Sequence, residues 1–437
     1  MTPTRRLFLL TGWGLPLAAA SPALAAAQSR LLAATGADQT AALQAAIDQA
    51  AARGDALDLP AGIFKTGSLM LRQGTVVSGV AGLTVLQFTG SGTFITAKAA
   101  SSVRVSNLTI DGGMRPLESG RGALVALEGC AGLEIDKVTI QNSAHTGLAI
   151  TGGNGRVTGC TIANIANAGV FALDATLTIS GNAVSDCGNN GILVWRSAAG
   201  EDGSQVTNNR ISRIRADSGG TGQNGNGINV FRAGSVMVSG NRITDCAYSA
   251  IRGNAASGIQ MTANHCQRIG EVALYAEFGF TGALIASNIV DGAATGISVT
   301  NFNEGGRLAV VQGNLIRNLV RREQEPQDKR GEGIAVEADT LVSGNTIENA
   351  PTCGILLGWG RHMRDVSATG NLVRGCRTGI LISSDPAAGS ALVTGNLISS
   401  ATDGAIRAHE RGRPFGPDLA REAATTGRVT IAGNTAA

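Results

Sequence analysis

Aromatic residues are scarce in this chain, at 3% of 437 residues, and charged residues reach only 15%. A conventional globular core takes much of its bulk from aromatic rings, so this one must be filled by aliphatic side chains. Low charge also fits a membrane protein, but past residue 25 no apolar run approaches the roughly eighteen residues a spanning helix needs. The seven cysteines are odd in number and contain no C-x-x-C pair, which argues against a disulfide framework or a zinc site. A net charge of +3 gives no electrostatic reason to expect nucleic acid or an anionic membrane as a partner. No cofactor motif is visible, so no cofactor is expected. What the chain has in quantity is glycine, 61 residues, with Val, Ile and Leu in short alternating bursts.

Residues 1–25 read as a targeting segment. Arg5 and Arg6 precede the apolar stretch Leu7-Phe8-Leu9-Leu10, and Ala23-Leu24-Ala25 offers small residues for a signal peptidase. A twin-arginine pair in this position predicts Tat export, with the Tat translocase as a transient partner. An ordinary Sec signal is the alternative, and it also ends outside the cytoplasm, in the periplasm or medium. Cleavage there removes two arginines and no acid, which lowers the net charge from +3 to about +1. It leaves no apolar span behind.

Internal repeats decide the architecture. The pattern V-x-G-N, with small variations, recurs at Val157–Cys160, Ile179–Asn182, Val206–Asn209, Val238–Asn241, Met261–Asn264 and Ile285–Asn288. It continues at Val311–Asn314, Val342–Asn345, Ala368–Asn371, Val393–Asn396 and Ile431–Asn434. A Gly-Ile-x-Val strand follows in many copies, as at 191–194, 227–230, 296–299 and 333–336. A unit that starts at 22 residues cannot bury its own apolar face, so successive coils must stack Val on Val and Ile on Ile. Asn at the bend is expected to tolerate left-handed φ and to bond to the Asn of the next coil. The L-x-x-L-x-L signature of leucine-rich repeats is absent. Cys187, Cys246 and Cys376 each fall five residues after a repeat Asn, which makes them one recurring, buried, apolar position.

Upstream, residues 38–48 predict a helix with Ala42, Ala45, Ala46 and Ile47 on one face and Asp38 or Thr40 as N-cap. Such a helix would plug the open end of the solenoid. The run G-x-D-x-T-x-A-L-Q-x-A-I-D, continuing to Leu57-Asp58-Leu59-Pro60-Ala61-Gly62, resembles the entrance of pectin-lyase-like β-helix proteins. That superfamily includes polysaccharide lyases, polygalacturonase-type hydrolases, uronan epimerases and phage tailspikes. With the twin-arginine segment, the chain most resembles a bacterial family of Tat-translocated parallel β-helix repeat proteins. The expected fold is an all-β, right-handed single-stranded parallel β-helix with an N-terminal capping helix. Its expected divisions are 1–25 (signal), 26–100 (cap and first coils) and 101–437 (repeats).

In a Gly-Ile-x-Val strand the Ile and Val point inward, so the residue between them and the residue after Val point outward. Early and late coils place Ala149, Leu193, Ala335, Leu356 and Leu381 there, which carry no chemistry. Middle coils place Asn229 and Phe231, Arg252 and Asn254, Tyr275 and Glu277, then Ser298 and Thr300. Loops at 212–226, 301–306 and 317–332 flank this patch and predict a groove. The expected ligand is a polysaccharide or oligosaccharide. Arg252, Tyr275 and Glu277 are the candidate catalytic residues. Arg252 and Asn254 are expected to neutralise a uronate carboxylate, Tyr275 to exchange a proton, and Glu277 to serve as acid or base. Asn229, Phe231, Asn254, Ser298, Thr300, Asn301, Asn303 and Glu304 are the candidate substrate-binding residues. This set suits a uronan lyase or C5-epimerase before a glycosidase, whose second carboxylate would have to come from Glu304 or Glu337. A salt bridge between Arg252 and Glu277, one coil apart, is the purely structural alternative. A non-catalytic glycan-binding or envelope scaffold is the alternative function. His265, beside a repeat Asn, is expected at a bend outside the groove. Trp195 and Trp359 are candidate sugar platforms or loop-packing residues, and 321–330 is a charged loop, a candidate lid.

Overall fold

The computed structural model describes residues 32–117, 122–220, 222–323, 330–421 and 425–437. The proposed signal segment and most of the charged stretch 321–330 lie outside these residues.

The solenoid runs for about 13 turns. Each typical coil contributes three strands, as at Ala183–Cys187, Asn190–Glu201 and Gln205–Thr207. The first type builds a 15-stranded parallel ladder, and the other two types form the two stacks of a 29-stranded sheet. Among the described residues pairing is parallel, save for short antiparallel hairpins at Ile406–Phe415 and Thr425–Ala432 and a single antiparallel bridge between Trp359 and His362. Inward positions stack on themselves coil after coil: Val170, Ile192, Ile228, Ile251, Leu274, Ile297, Ile334, Ile355, Ile380 and Ile406 occupy one column. Each buried aliphatic side chain of this kind contributes about 1.5–3 kcal/mol. Cys187 and Cys246 sit in a column that alternates with Ile165, Ile214 and Ile269. All seven cysteines are buried and free, and in this column cysteine is a small substitute for isoleucine.

The asparagines form a one-way chain. The Oδ1 of Asn288, for example, accepts both the backbone N–H (2.9 Å) and the side-chain Nδ2 (3.0 Å) of Asn264. Its own Nδ2 donates to Met261 O and to Asn314 Oδ1. The same bonds link Asn182 through Asn209, Asn241, Asn264, Asn288, Asn314, Asn345, Asn371 and Asn396 to Asn434. One expectation needs correction. The ladder asparagines do not adopt left-handed φ; the residue before each does, as at Gly181 (φ 68°), Asn208 (57°), Gly240 (69°) and Gly313 (65°). Glycine recurs there because that residue, not the amide, makes the corner.

The helix α1 spans Thr40–Arg53 and closes the first coil. Its buried residues are Leu43 and Ile47, while Ala42 and Ala45 face solvent, so the inward stripe lies one position off the expected one. The N-cap is Gln39; the Asp38 carboxylate instead accepts the backbone N–H of Thr40. Gly54 ends the helix in left-handed φ (72°), as C-terminal caps do.

Candidate functional site

Strand register brings the predicted outward residues into two parallel columns. Leu193, Asn229, Arg252, Tyr275, Ser298, Ala335, Leu356, Leu381 and Arg407 occupy successive coils of one. Trp195, Phe231, Asn254 and Glu277 occupy the other. Thr300 and Glu337 directly follow the register partners Val299 and Val336, and so carry that second column two coils further. Coils repeat at about 4.8 Å, so neighbouring rungs touch.

Two adjoining hollows lie over these columns. One, of about 320 Å³, is lined by Arg252, Tyr275, Glu277, Phe278, Ser298, Thr300, Asn301, Glu337 and Trp359, with Ala335 and Leu356 in its floor. The other, of about 270 Å³, is lined by Trp195, Gly222, Gln223, Asn229, Phe231, Arg252, Asn254 and Phe278. Arg252 and Phe278 border both, so the hollows form one groove. Asn303 and Glu304 line neither; they are exposed on the short 3-10 turn Phe302–Glu304, where Asn303 bonds to Glu304. His265 lies away from the groove, as expected, but it opens a strand of the 15-stranded ladder rather than sitting at the bend, which Ala263 (φ 55°) makes.

Outward does not mean exposed. Arg252, Tyr275 and Glu277 are only 6%, 4% and 2% accessible. The loop before Asn229 comes close over Arg252, where a side chain at Gly222 (φ 121°) would run into the guanidinium. Arg252 Nε donates to Glu277 Oε1 at 2.6 Å, and Nη1 lies 3.5 Å from Glu271 Oε2, a carboxylate 3% accessible. Asn254 Nδ2 donates to the same Glu277 oxygen at 3.1 Å. The guanidinium also lies over the Tyr275 ring, 5.1 Å from its centroid. Burial alone would lower the Arg252 pKa, but the Glu277 carboxylate, its hydrogen bond and Glu271 outweigh it and hold the pKa above the ordinary value. The anticipated salt bridge is therefore present, and it is buried rather than on the surface. Arg252 is committed to two carboxylates of the protein.

Sequence reasoning missed Glu271 and Phe278 as parts of the site, left Glu337 as an alternative, and held Trp359, which lines the first hollow, as a candidate sugar platform or loop-packing residue. Glu337 is half-buried, and its Oε2 accepts the backbone N–H of Phe302 at 2.7 Å. Trp195 stacks edge-on against Phe171 and Phe231 at 5.3 and 5.5 Å, and its Nε1 donates to Asn229 Oδ1. Ala335, Leu356 and Leu381 pack with Cys353 into a small apolar cluster on the outer face, against Trp359. Among the described residues no grouping of His, Cys, Asp and Glu suits a metal ion, and no helix is long and apolar enough to cross a membrane.

The family model for the right-handed β-helix region matches residues 91–219, 146–318 and 198–373, overlapping segments that together span more than half of the chain. The chain belongs to this right-handed β-helix family. No curated protein matches it in sequence. Among solved structures it is similar to the pre-mature gene product 12 of bacteriophage phi29, with 15% identity, 86% of this chain and 56% of that one covered, and a TM-score of 0.51. It thus spans little more than half the length of the phage protein. It is also similar to the catalytic unit of an α-1,3-glucanase from Streptomyces thermodiastaticus, with 16% identity, 92% and 66% covered, and a TM-score of 0.48. The A-module of a mannuronan C-5 epimerase from Azotobacter vinelandii aligns at 14% identity, with 91% and 96% covered and a TM-score of 0.37. Likenesses of this size are likenesses of fold.

Proposed function

We propose that this protein is exported by the twin-arginine route and acts on a polysaccharide laid along the groove between Trp195 and Trp359. The observation that carries this reading is the composition of the groove. Aromatic faces stand at both ends, hydrogen-bonding Asn229, Asn254, Ser298, Thr300 and Asn301 lie between them, and two carboxylates border one hollow. Aromatic rings stack on sugar faces, while amides and hydroxyls satisfy sugar hydroxyls.

The geometry also weighs the chemistries. A lyase or C5-epimerase needs a free cation for the uronate carboxylate, and Arg252 already faces Glu271 and Glu277. In our reading Arg252 positions Glu277 and leaves Glu277 Oε2 for the hollow. Glu277 and Glu337 stand two coils apart, about 10 Å between backbones. That approaches the roughly 6.5–9.5 Å between carboxyls that leaves room for an attacking water. Hydrolysis by this pair therefore fits better than elimination by Arg252 and Tyr275. One carboxyl protonates the glycosidic oxygen as its bond to the anomeric carbon breaks. The other takes a proton from the water that forms the new bond.

Incubation with a panel of neutral and uronate-containing polysaccharides tests the proposal. New reducing ends without unsaturated absorbance support hydrolysis, and Glu277→Gln and Glu337→Gln should each abolish them. Unsaturated product would restore the elimination reading with Tyr275 as the proton-transfer group. Polymer that binds and is never cleaved would make the protein a glycan-binding scaffold.

A further inference from the structure

The groove does not stop at Trp359. That indole also borders a third hollow, of about 610 Å³, on the C-terminal side of the first. Its lining holds five arginines, Arg321, Arg330, Arg377, Arg407 and Arg413, against three carboxylates, Glu323, Glu332 and Asp403. Asp403 alone answers two of the cations, at 3.6 Å from Arg377 and 3.2 Å from Arg407. Arg330 pairs with Glu323. Arg321 bonds to Pro351 O and Thr352 Oγ1, and neither it nor Arg413 meets a carboxylate among the described residues. Arg407 stands in the same column as Arg252 and Tyr275, five coils beyond Tyr275, or about 24 Å along the axis. It spends Nη1 on Asp403, and its Nε is enclosed without an acceptor among the described residues. An enclosed charged donor left without an acceptor is costly.

We propose that this arginine-lined hollow is an oxyanion subsite that seats a carboxylate or sulfate group of the same glycan chain held in the groove. The inference rests on the groove reading and narrows the substrate class to acidic polysaccharides. A planar oxyanion matches the forked donors of arginine. It would meet the Nε/Nη2 edge of Arg407 together with Arg321 and Arg413, which meet no carboxylate among the described residues. Trp359 then marks the boundary between the sugar-stacking groove and the charge-reading end. The acid group is thus recognised several coils away from Glu277 and Glu337, where like charge would repel it.

Binding of the mature chain to alginate (carboxylate), dextran sulfate (sulfate) and dextran (neutral) at low salt reads this out. The expected result is about tenfold tighter binding of one or both acidic polymers than of dextran, with the preferred polymer identifying the oxyanion. The exposed pair R321Q/R413Q, and separately Arg407→Gln, should cut that preference to about threefold or less and leave dextran binding unchanged. Equal binding of all three polymers overturns the subsite and leaves the groove standing. So does a preference that survives in both variants. Wild-type protein that binds none of the three overturns the groove reading itself.

Discussion

Replacing Asn288 by alanine cuts the amide chain in mid-solenoid, and the structure says which groups lose their partners. The Asn264 backbone N–H loses the Oδ1 it bonds at 2.9 Å, and Met261 C=O loses the Nδ2 that donates to it at 2.8 Å. Asn264 Nδ2 keeps Val238 O, and Asn314 Oδ1 keeps the backbone N–H of residue 288. Two groups are therefore orphaned at a position 1% accessible, where water does not replace the partner. At about 1–3 kcal/mol for each unsatisfied buried group, the loss is roughly 2–6 kcal/mol. Asn434, at the end of the chain and half-exposed, is the internal control. Alanine there should cost about 1 kcal/mol or less, because solvent reaches the freed groups. Long repeat arrays unfold without a single cooperative transition, so local hydrogen exchange is the suitable assay. Peptides containing Asn264 should lose protection by at least about thirtyfold, the equivalent of 2 kcal/mol. Equal losses for the two variants, or an Asn288→Ala effect below about 1 kcal/mol, would refute the view that the amides hold the corners.

Three further outcomes are expected. Arg252→Met should destabilise its coils by about 3–5 kcal/mol by stranding two buried carboxylates, and adding Glu271→Gln and Glu277→Gln should recover most of that in the hydrogen-exchange protection of the strands that carry them; no recovery would mean that the arginine acts through packing alone. Burial holds the His409 imidazole, 0% accessible, down at about 4 against an ordinary 6.5. Its contribution, about 3 kcal/mol, is fully present above pH 6.5 and is lost as pH falls towards 4, so the hydrogen-exchange protection of the last coils should weaken over that window in wild type relative to His409→Gln, and parallel protection–pH curves would exclude it. Burial pushes the Cys187 and Cys266 thiols up to about 12 and those of Cys160 and Cys376 up to about 11. Native protein at pH 8 should therefore leave a disulfide titrant such as DTNB unreacted, while denatured protein should react at all seven cysteines; rapid native reaction would show that the core opens.

The solenoid was legible because its determinants are local and repeated. A Val, a corner residue and an amide at fixed spacing dictate each coil, and aligned copies average out irregular loops. The same period-two arithmetic brought out Asn229, Arg252, Tyr275 and Ser298 as one column, since strand register preserves it. It also reached Ala335, but Glu337, two residues on, was held only as an alternative second carboxylate because its coil looked featureless. Glu271 could not be read this way, because it lies in the turn before its strand. Nor could burial. The sequence of the 212–226 loop does not say that Gly222 presses on the Arg252 guanidinium, and that contact separates a surface ion pair from an enclosed one. Asn303 and Glu304 failed for a related reason: proximity in sequence to Thr300 carried them onto a turn that points away from the groove.

The asparagine chain has a direction, and the direction makes the coil a splice unit. Each amide from Asn182 to Asn396 offers its oxygen to the coil before it and its nitrogen to the coils on both sides, so any whole coil between them presents the same two junctions. A coil removed or duplicated between two asparagines leaves no mismatched end. The groove on the opposite flank is then a ruler graduated in steps of about 4.8 Å. Gene-level copying of one repeat lengthens it by one rung, and the spacing between its acidic middle and its basic end changes only by whole coils.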